Sequence, residues 1–153
     1  MTDRTSAPNT IPWPPLILVS ALVGSWLVAQ ILPVQLPAAL VPLGILLMIA
    51  ALGVDVVAML TMRRARTTIL PHRGSQNLIT HGIFSISRNP IYVANVVIIV
   101  GYALSSSSIW PLLAAPIAAF AMQKLAIERE EAHLSANFPN EFAAYRKKTR
   151  RWL

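Results

Sequence analysis

The sequence predicts an all-α polytopic membrane protein, with about four transmembrane helices and a C-terminal cytoplasmic helical extension. Three observations predict it. Of 153 residues, 55% are hydrophobic and only 12% are charged, about half the charge of a soluble domain. Residues 5–54 and 89–123 carry no Asp, Glu, Lys or Arg at all. A soluble core of this size could not cover so much apolar surface, whereas both stretches hold runs near the ~20 residues that cross a bilayer.

Taken in order, residues 1–15 form an N-terminal cytoplasmic tail, with Pro12, Pro14 and Pro15 at its end. Residues 16–62 hold two transmembrane helices. The first covers 16–32 and the second about 38–62, and the turn between them contains Pro33 and Pro37, which cannot sit inside one helix. Arg63, Arg64 and Arg66 end the second span. Residues 63–153 form a third region. It starts with a polar connection over 67–89, long for an idle loop. A third apolar helix over 91–104, a serine turn over 105–108 and a fourth helix from Trp110 to about Ile127 follow. The fourth continues into water through Glu130 and Glu131, and Pro139 breaks that extension and starts another helix.

Lysine and arginine set the orientation. The turns at 33–37 and 105–108 have none. The central loop has Arg63, Arg64, Arg66, Arg73 and Arg88, and the tail has Arg146, Lys147, Lys148, Arg150 and Arg151. Placing both termini and the central loop in the cytoplasm, at a bacterial inner membrane, satisfies the positive-inside rule. The net charge of +7 is then explained by orientation and anionic lipid rather than by nucleic acid. Cysteine is absent, which excludes disulfides, thiolate metal sites and a cysteine nucleophile. The prolines ahead of the first apolar run favour a retained span over a secretory signal.

Two segments concentrate the polar chemistry: 78–92 (LITHGIFSISRNPIY) and 130–152 (EEAHLSANFPNEFAAYRKKTRRW). In the first, Gly82 permits a tight bend, and Arg88-Asn89-Pro90 leads into the third helix. Pro90 suits the first helical turn. An arginine beside a helix N-terminus can hold a carboxylate. In the second, neighbouring Glu130 and Glu131 cannot both point the same way on a helix. One can face a polar pocket and grip a ribose or an ammonium, while the other meets solvent or a base. The plainer reading is an interfacial anchor at Arg88 and Tyr92, and a solvated helix end paired with Arg129 or Lys124, worth little in energy. Asp55 lies inside the second span, two turns from Arg63. It is either a functional acid or the partner of that arginine. His72, His81 and His133 lack metal-ligand spacing, so no metal site is expected.

Together these segments resemble the isoprenylcysteine carboxyl methyltransferase and phospholipid methyltransferase superfamily. The resemblance runs over about 67–152 and rests on Leu-Ile-Thr-x-Gly-x-Phe-x-x-x-Arg-Asn-Pro-x-Tyr, then a helix pair, then Glu-Glu-x-x-Leu-x-x-x-Phe-x-x-x-Phe-x-x-Tyr and an Arg-Trp end. It implies a membrane methyltransferase that uses S-adenosylmethionine. The cofactor-binding positions it implies are Gln76, Asn77, Leu78, Ile79, Phe84, Arg88, Asn89, Pro90, Ile91, Tyr92 and Glu130, with Arg88 and Glu131 expected to serve catalysis. Asn89 replaces the more usual histidine, Ile83 a common proline, and Pro139 and Phe142 a glycine and a tyrosine. Ala126 stands where the superfamily often has the arginine assigned to the acceptor. The acceptor is therefore open: an isoprenylcysteine-like carboxylate, a phospholipid amine or another small lipophile, drawn from the membrane lipids. An amine or thiol acceptor would have to lose a proton, for which His81, Glu131 and Asp55 are the nearby candidates. Competing expectations are an NADPH-dependent enzyme of the sterol-reductase type and a small four-helix transporter. No nucleic-acid partner is expected, and the oligomeric state is open, since no small-xxx-small face stands out.

Overall fold

The computed structural model describes residues 11–65 and 77–153. Every described regular element is helical. In chain order they are α1 (Trp13–Ile31), a short 3₁₀ turn (Ala38–Leu40), α2 (Val41–Arg64), a second 3₁₀ turn (Gly82–Ser85), α3 (Pro90–Ser105) and α4 (Ile109–Met122). A π-turn (Gln123–Ile127) then leads to α5 (Glu128–Asn137) and α6 (Pro139–Lys148). Three helical runs are long and apolar enough to cross a membrane: Trp13–Ile31, Ala38–Arg64 and Ile109–Asn137. The last of these loses its apolar character at Lys124 and the acids that begin with Glu128. The shorter α3 has 16 residues, or about 24 Å at ~1.5 Å per residue. The chain is an all-α polytopic membrane protein.

Helix boundaries differ slightly from the sequence expectation. Helix α1 starts at Trp13 rather than at 16, with Pro14 and Pro15 inside its first turn. Proline is tolerated there because the first N–H groups have no intrahelical acceptor. Helix α2 runs through Arg63 and Arg64, whose charges suit a helix C-terminus. The π-turn has no counterpart in the expected regular helix. Its extra residue turns α5 relative to α4, and such turns tend to occur at functional sites.

Helix α2 packs mainly on α3, α3 on α4, and α4 on α1. The α2–α3 seam is made of small residues. Gly44, Ala51 and Ala58 are buried along α2, Ala94 and Gly101 are buried along α3, and Gly44 meets Gly101 directly. A Cβ on Gly44 would lie 2.6 Å from the Gly101 carbonyl oxygen, and one on Gly101 would lie 2.7 Å from Met48. Backbone thus meets backbone here, as small residues allow in membrane bundles. The repeat is seven residues, which a search for small-xxx-small spacing does not detect.

The two uncharged turns join at one end of the bundle. Leu36 N–H donates to the Ser107 carbonyl at 2.8 Å, and Ile109 N–H to the Val34 carbonyl at 3.2 Å. Trp110 Nε1 donates to the Leu32 carbonyl at 2.6 Å. Helix α3 runs from there to the opposite end, where residues 82–92, α5, α6 and the tail gather. The two polar segments share one end of the bundle, as the charge pattern requires.

Candidate functional site

The site is built around the start of α3. Gly82 takes a left-handed φ of 63°, which glycine adopts without steric cost and which lets the chain turn before Ser85. The C-terminal tail then runs alongside residues 85–89. Arg88 N–H donates to the Arg150 carbonyl at 3.0 Å. Asn89 Nδ2 donates to the Arg151 carbonyl at 2.9 Å, Thr149 Oγ1 to the Ser85 carbonyl at 3.3 Å, and the Tyr145 hydroxyl to the Phe84 carbonyl. Burial pushes the Tyr145 phenol up to about 12, against an opposing pull from the Arg88 charge. It therefore stays a hydrogen-bond donor across the physiological range. Pro139 does break the extension: α5 ends at Asn137 and α6 starts at Pro139, and Phe142 and Tyr145 of α6 are buried.

Two acidic side chains meet this frame from α5, and they diverge. Glu130 Oε1 accepts the Tyr92 hydroxyl at 2.7 Å. Among the described residues, its other oxygen has no hydrogen bond and no cation pairs with Glu130. Glu131 turns the other way. Its Oε1 accepts Arg88 Nη2 at 2.9 Å and Arg151 Nε at 3.1 Å, and its Oε2 accepts Arg151 Nη2 at 2.7 Å. Arg88 Nη1 also donates to the Thr149 carbonyl at 2.8 Å. The Glu131 hydrogen bonds hold Arg151 above the ordinary arginine range, against the opposing effect of burial. Arg88 Nε remains buried with no acceptor among the described residues, which is unusual for so strong a donor.

The expected site residues thus fall into three groups. Arg88, Asn89, Pro90, Tyr92, Glu130 and Glu131 are brought together, with Ile91 half-buried beside them. Asn77 is exposed and donates to the Ala65 carbonyl at 2.9 Å; Leu78 is half-buried, Ile79 buried and Phe84 half-buried, all leading into the same frame. Gln76 lies outside the described residues, as do Arg66, His72 and Arg73. Lys124 pairs with Glu128 at 2.9 Å rather than with either of the two central glutamates. Asp55 forms no ion pair among the described residues, so the alternative pairing with Arg63 is not made there.

Sequence reasoning gave Arg151 and Trp152 no part in the site itself. Trp152 Nε1 donates to Gln123 Oε1 at 3.0 Å in the π-turn, and its ring packs with Trp13 against Tyr92, Met122, Ala126 and Ile127. The Arg-Trp end belonged to the motif, but only the fold shows that it closes on the π-turn. Ala126 is fully buried in that cluster, so the position where an acceptor arginine is often found serves packing here. Among the described residues, no three His, Asp or Glu side chains cluster as a metal site would need.

Polar groups without a protein partner among the described residues gather at this end of the bundle. Glu130 offers a free carboxylate oxygen for hydroxyls or an ammonium, Arg88 Nε a buried donor for a carboxylate, and α3 the free N–H groups of its first turn. A curated relative is 47% identical over 79 residues: the nickel-cobalt-cadmium resistance protein NccN of Alcaligenes xylosoxydans xylosoxydans. The aligned part covers 50% of this chain and 36% of that protein, so the chain spans about a third of its length. No solved structure matches. The family model described as phospholipid methyltransferase matches residues 40–141, reaching further toward the N-terminus than the motifs do and taking in all of α2, which the Gly44–Gly101 contact ties to α3. That match covers more than half of the 153 residues, and the chain belongs to the phospholipid methyltransferase family, within the isoprenylcysteine carboxyl methyltransferase and phospholipid methyltransferase superfamily.

Proposed function

We propose that this membrane protein transfers a methyl group from S-adenosylmethionine to a lipophilic acceptor, at the cytoplasmic surface of a bacterial inner membrane. The observation that carries the reading is the divergence of Glu130 and Glu131 on either side of the Arg88–Tyr92 turn, at the basic end of the bundle. Family membership supports methyl transfer as the reaction.

When bound, S-adenosylmethionine supplies an already activated methyl group on a sulfonium. The protein then has to align the partners and exclude water rather than form a covalent intermediate. Glu130 would hold the ribose hydroxyls or the ammonium, with Tyr92 fixing its rotamer. The Arg88 side chain would face the carboxylate, with Asn89, Pro90 and Ile91 at the helix start beside it. Asn77, Leu78, Ile79 and Phe84 would line the approach. Glu131 serves the reaction by positioning Arg88. The bulk of the acceptor stays in the bilayer beside the apolar helices, and its reactive end reaches the basic end of the bundle.

Purified protein incubated with methyl-labelled S-adenosylmethionine and fractionated membrane lipids should deposit label in one lipid-extractable fraction. Label should be absent when Glu130 is replaced by alanine. Tight donor binding with no label in any lipid fraction would remove the lipophilic acceptor from this account.

A further inference from the structure

Helix α5 owes its facing to one extra residue. The Glu128 N–H donates to the Gln123 carbonyl, a five-residue step where an α-helix makes a four-residue one. Each residue of an α-helix adds about 100° of rotation and about 1.5 Å of rise. Were the π-turn to straighten, every side chain of α5 would therefore advance by one place. Arg129 would stand where Glu130 now accepts the Tyr92 hydroxyl, and Glu130 where Glu131 now meets Arg88 and Arg151. The free carboxylate oxygen of the site would be replaced by a cation. In the observed phase Arg129 is exposed and forms no ion pair among the described residues.

A π-turn is rare on its own, so contacts from outside the helix are needed to hold it. The C-terminal tail supplies them. Trp152 Nε1 donates to Gln123 Oε1 at 3.0 Å. Gln123 Nε2 in turn donates to Glu128 Oε1 at 3.4 Å, and Lys124 Nζ meets the same oxygen at 2.9 Å. The Gln123 side chain thus ties the first residue of the turn to the first residue of α5, and both to the tail. The Trp152 ring packs against Ala126 and Ile127 of the turn, which are fully buried together with Met122 and beside Tyr92. The neighbouring Arg151 grips Glu131. Successive tail residues therefore reach both glutamates, one directly and one through the turn.

We infer that Trp152 and Gln123 are positioning residues, a latch that keeps the π-turn wound so that Glu130 rather than Arg129 faces Tyr92. Neither touches the ligand in this account; they act through the phase of α5. That the ligand is the methyl donor rests on the reading above. The latch itself is a property of the ligand-free protein. Loosening it raises the share of straightened helix, and apparent affinity falls with the share that remains competent.

The test uses purified full-length protein. Without ligand, backbone amides over 123–130 should exchange deuterium faster in Gln123→Met than in wild type. That variant keeps the indole packing and removes only its acceptor. Labelled S-adenosylmethionine should bind about 10-fold more weakly to Trp152→Phe and to Gln123→Met, the loss of one hydrogen bond that favours the wound turn. Arg129→Glu alone, at an exposed position, should leave donor affinity within about 2-fold of wild type. Added to either latch variant, it should restore most of the lost affinity, because a glutamate then meets Tyr92 in the straightened helix. A residue that merely supports the fold would not be rescued in this way. If Trp152→Phe does not fold, Gln123→Met carries the comparison. Unchanged exchange and affinity overturn the inference, as does a loss that Arg129→Glu fails to restore; the methyl-donor reading survives both results. A wild-type protein that binds no donor sinks that reading instead, and the exchange comparison still decides the latch.

Discussion

Glu131→Ala is expected to destabilise the protein by about 3 kcal/mol and to release its C-terminal tail. The carboxylate accepts three hydrogen bonds from two guanidinium groups. The side chains of Arg88 and Glu131 are 9% and 11% exposed, and that of Arg151 is 31% exposed. Removing the anion leaves two cations facing each other, one of them cut off from water. Breaking a buried pair in this way costs roughly 3–5 kcal/mol. The low end applies because Arg151 can rehydrate. The tail would then lose its grip on residues 85–89, since the Arg88 side chain also holds the Thr149 carbonyl. Limited trypsin digestion should cut at Arg146, Lys147, Lys148 and Arg150 markedly faster than in wild type, and the thermal midpoint in detergent should fall. An unchanged midpoint and digestion pattern would show that the two arginines find other partners and that the clamp contributes nothing.

The second large effect is on ligand affinity. Glu130→Gln keeps the size of the side chain and an oxygen that can still accept the Tyr92 hydroxyl, so the fold should persist. What it removes is charge at the oxygen that Tyr92 does not hold. Losing charge-assisted hydrogen bonds to ribose hydroxyls or an ammonium should cost about 2 kcal/mol, or roughly 30-fold in affinity. Tyr92→Phe should cost less, because it only frees the glutamate rotamer. Saturation binding of S-adenosylmethionine to the three proteins checks both expectations. A Glu130→Gln protein that binds as tightly as wild type would move the ligand away from this carboxylate.

These two glutamates show what the sequence made legible. That adjacent acids on a helix must diverge was clear from helical geometry alone, and Glu130 and Glu131 do diverge. Their partners were only half legible. Arg88 and Tyr92 were marked by the motif, but Arg151 looked like one base among five in a charged tail. Nothing local says that residues 149–151 run beside 85–89, because that pairing joins segments about sixty positions apart. The spans were readable from charge-free runs and prolines, with errors of a few residues where proline is tolerated in a first helical turn. The π-turn left no trace, since Gln123–Ile127 reads as ordinary helix. The glycine seam was missed because its repeat is seven residues.

The central claim is that the start of α3, the acidic α5 and the returning tail make one site for a sulfonium nucleotide. Equilibrium binding of labelled S-adenosylmethionine and labelled NADPH to the purified wild-type protein tests it most directly. The account predicts saturable binding of S-adenosylmethionine at one site per chain, uncompeted by NADPH. Saturable NADPH binding with none of the methyl donor would contradict it.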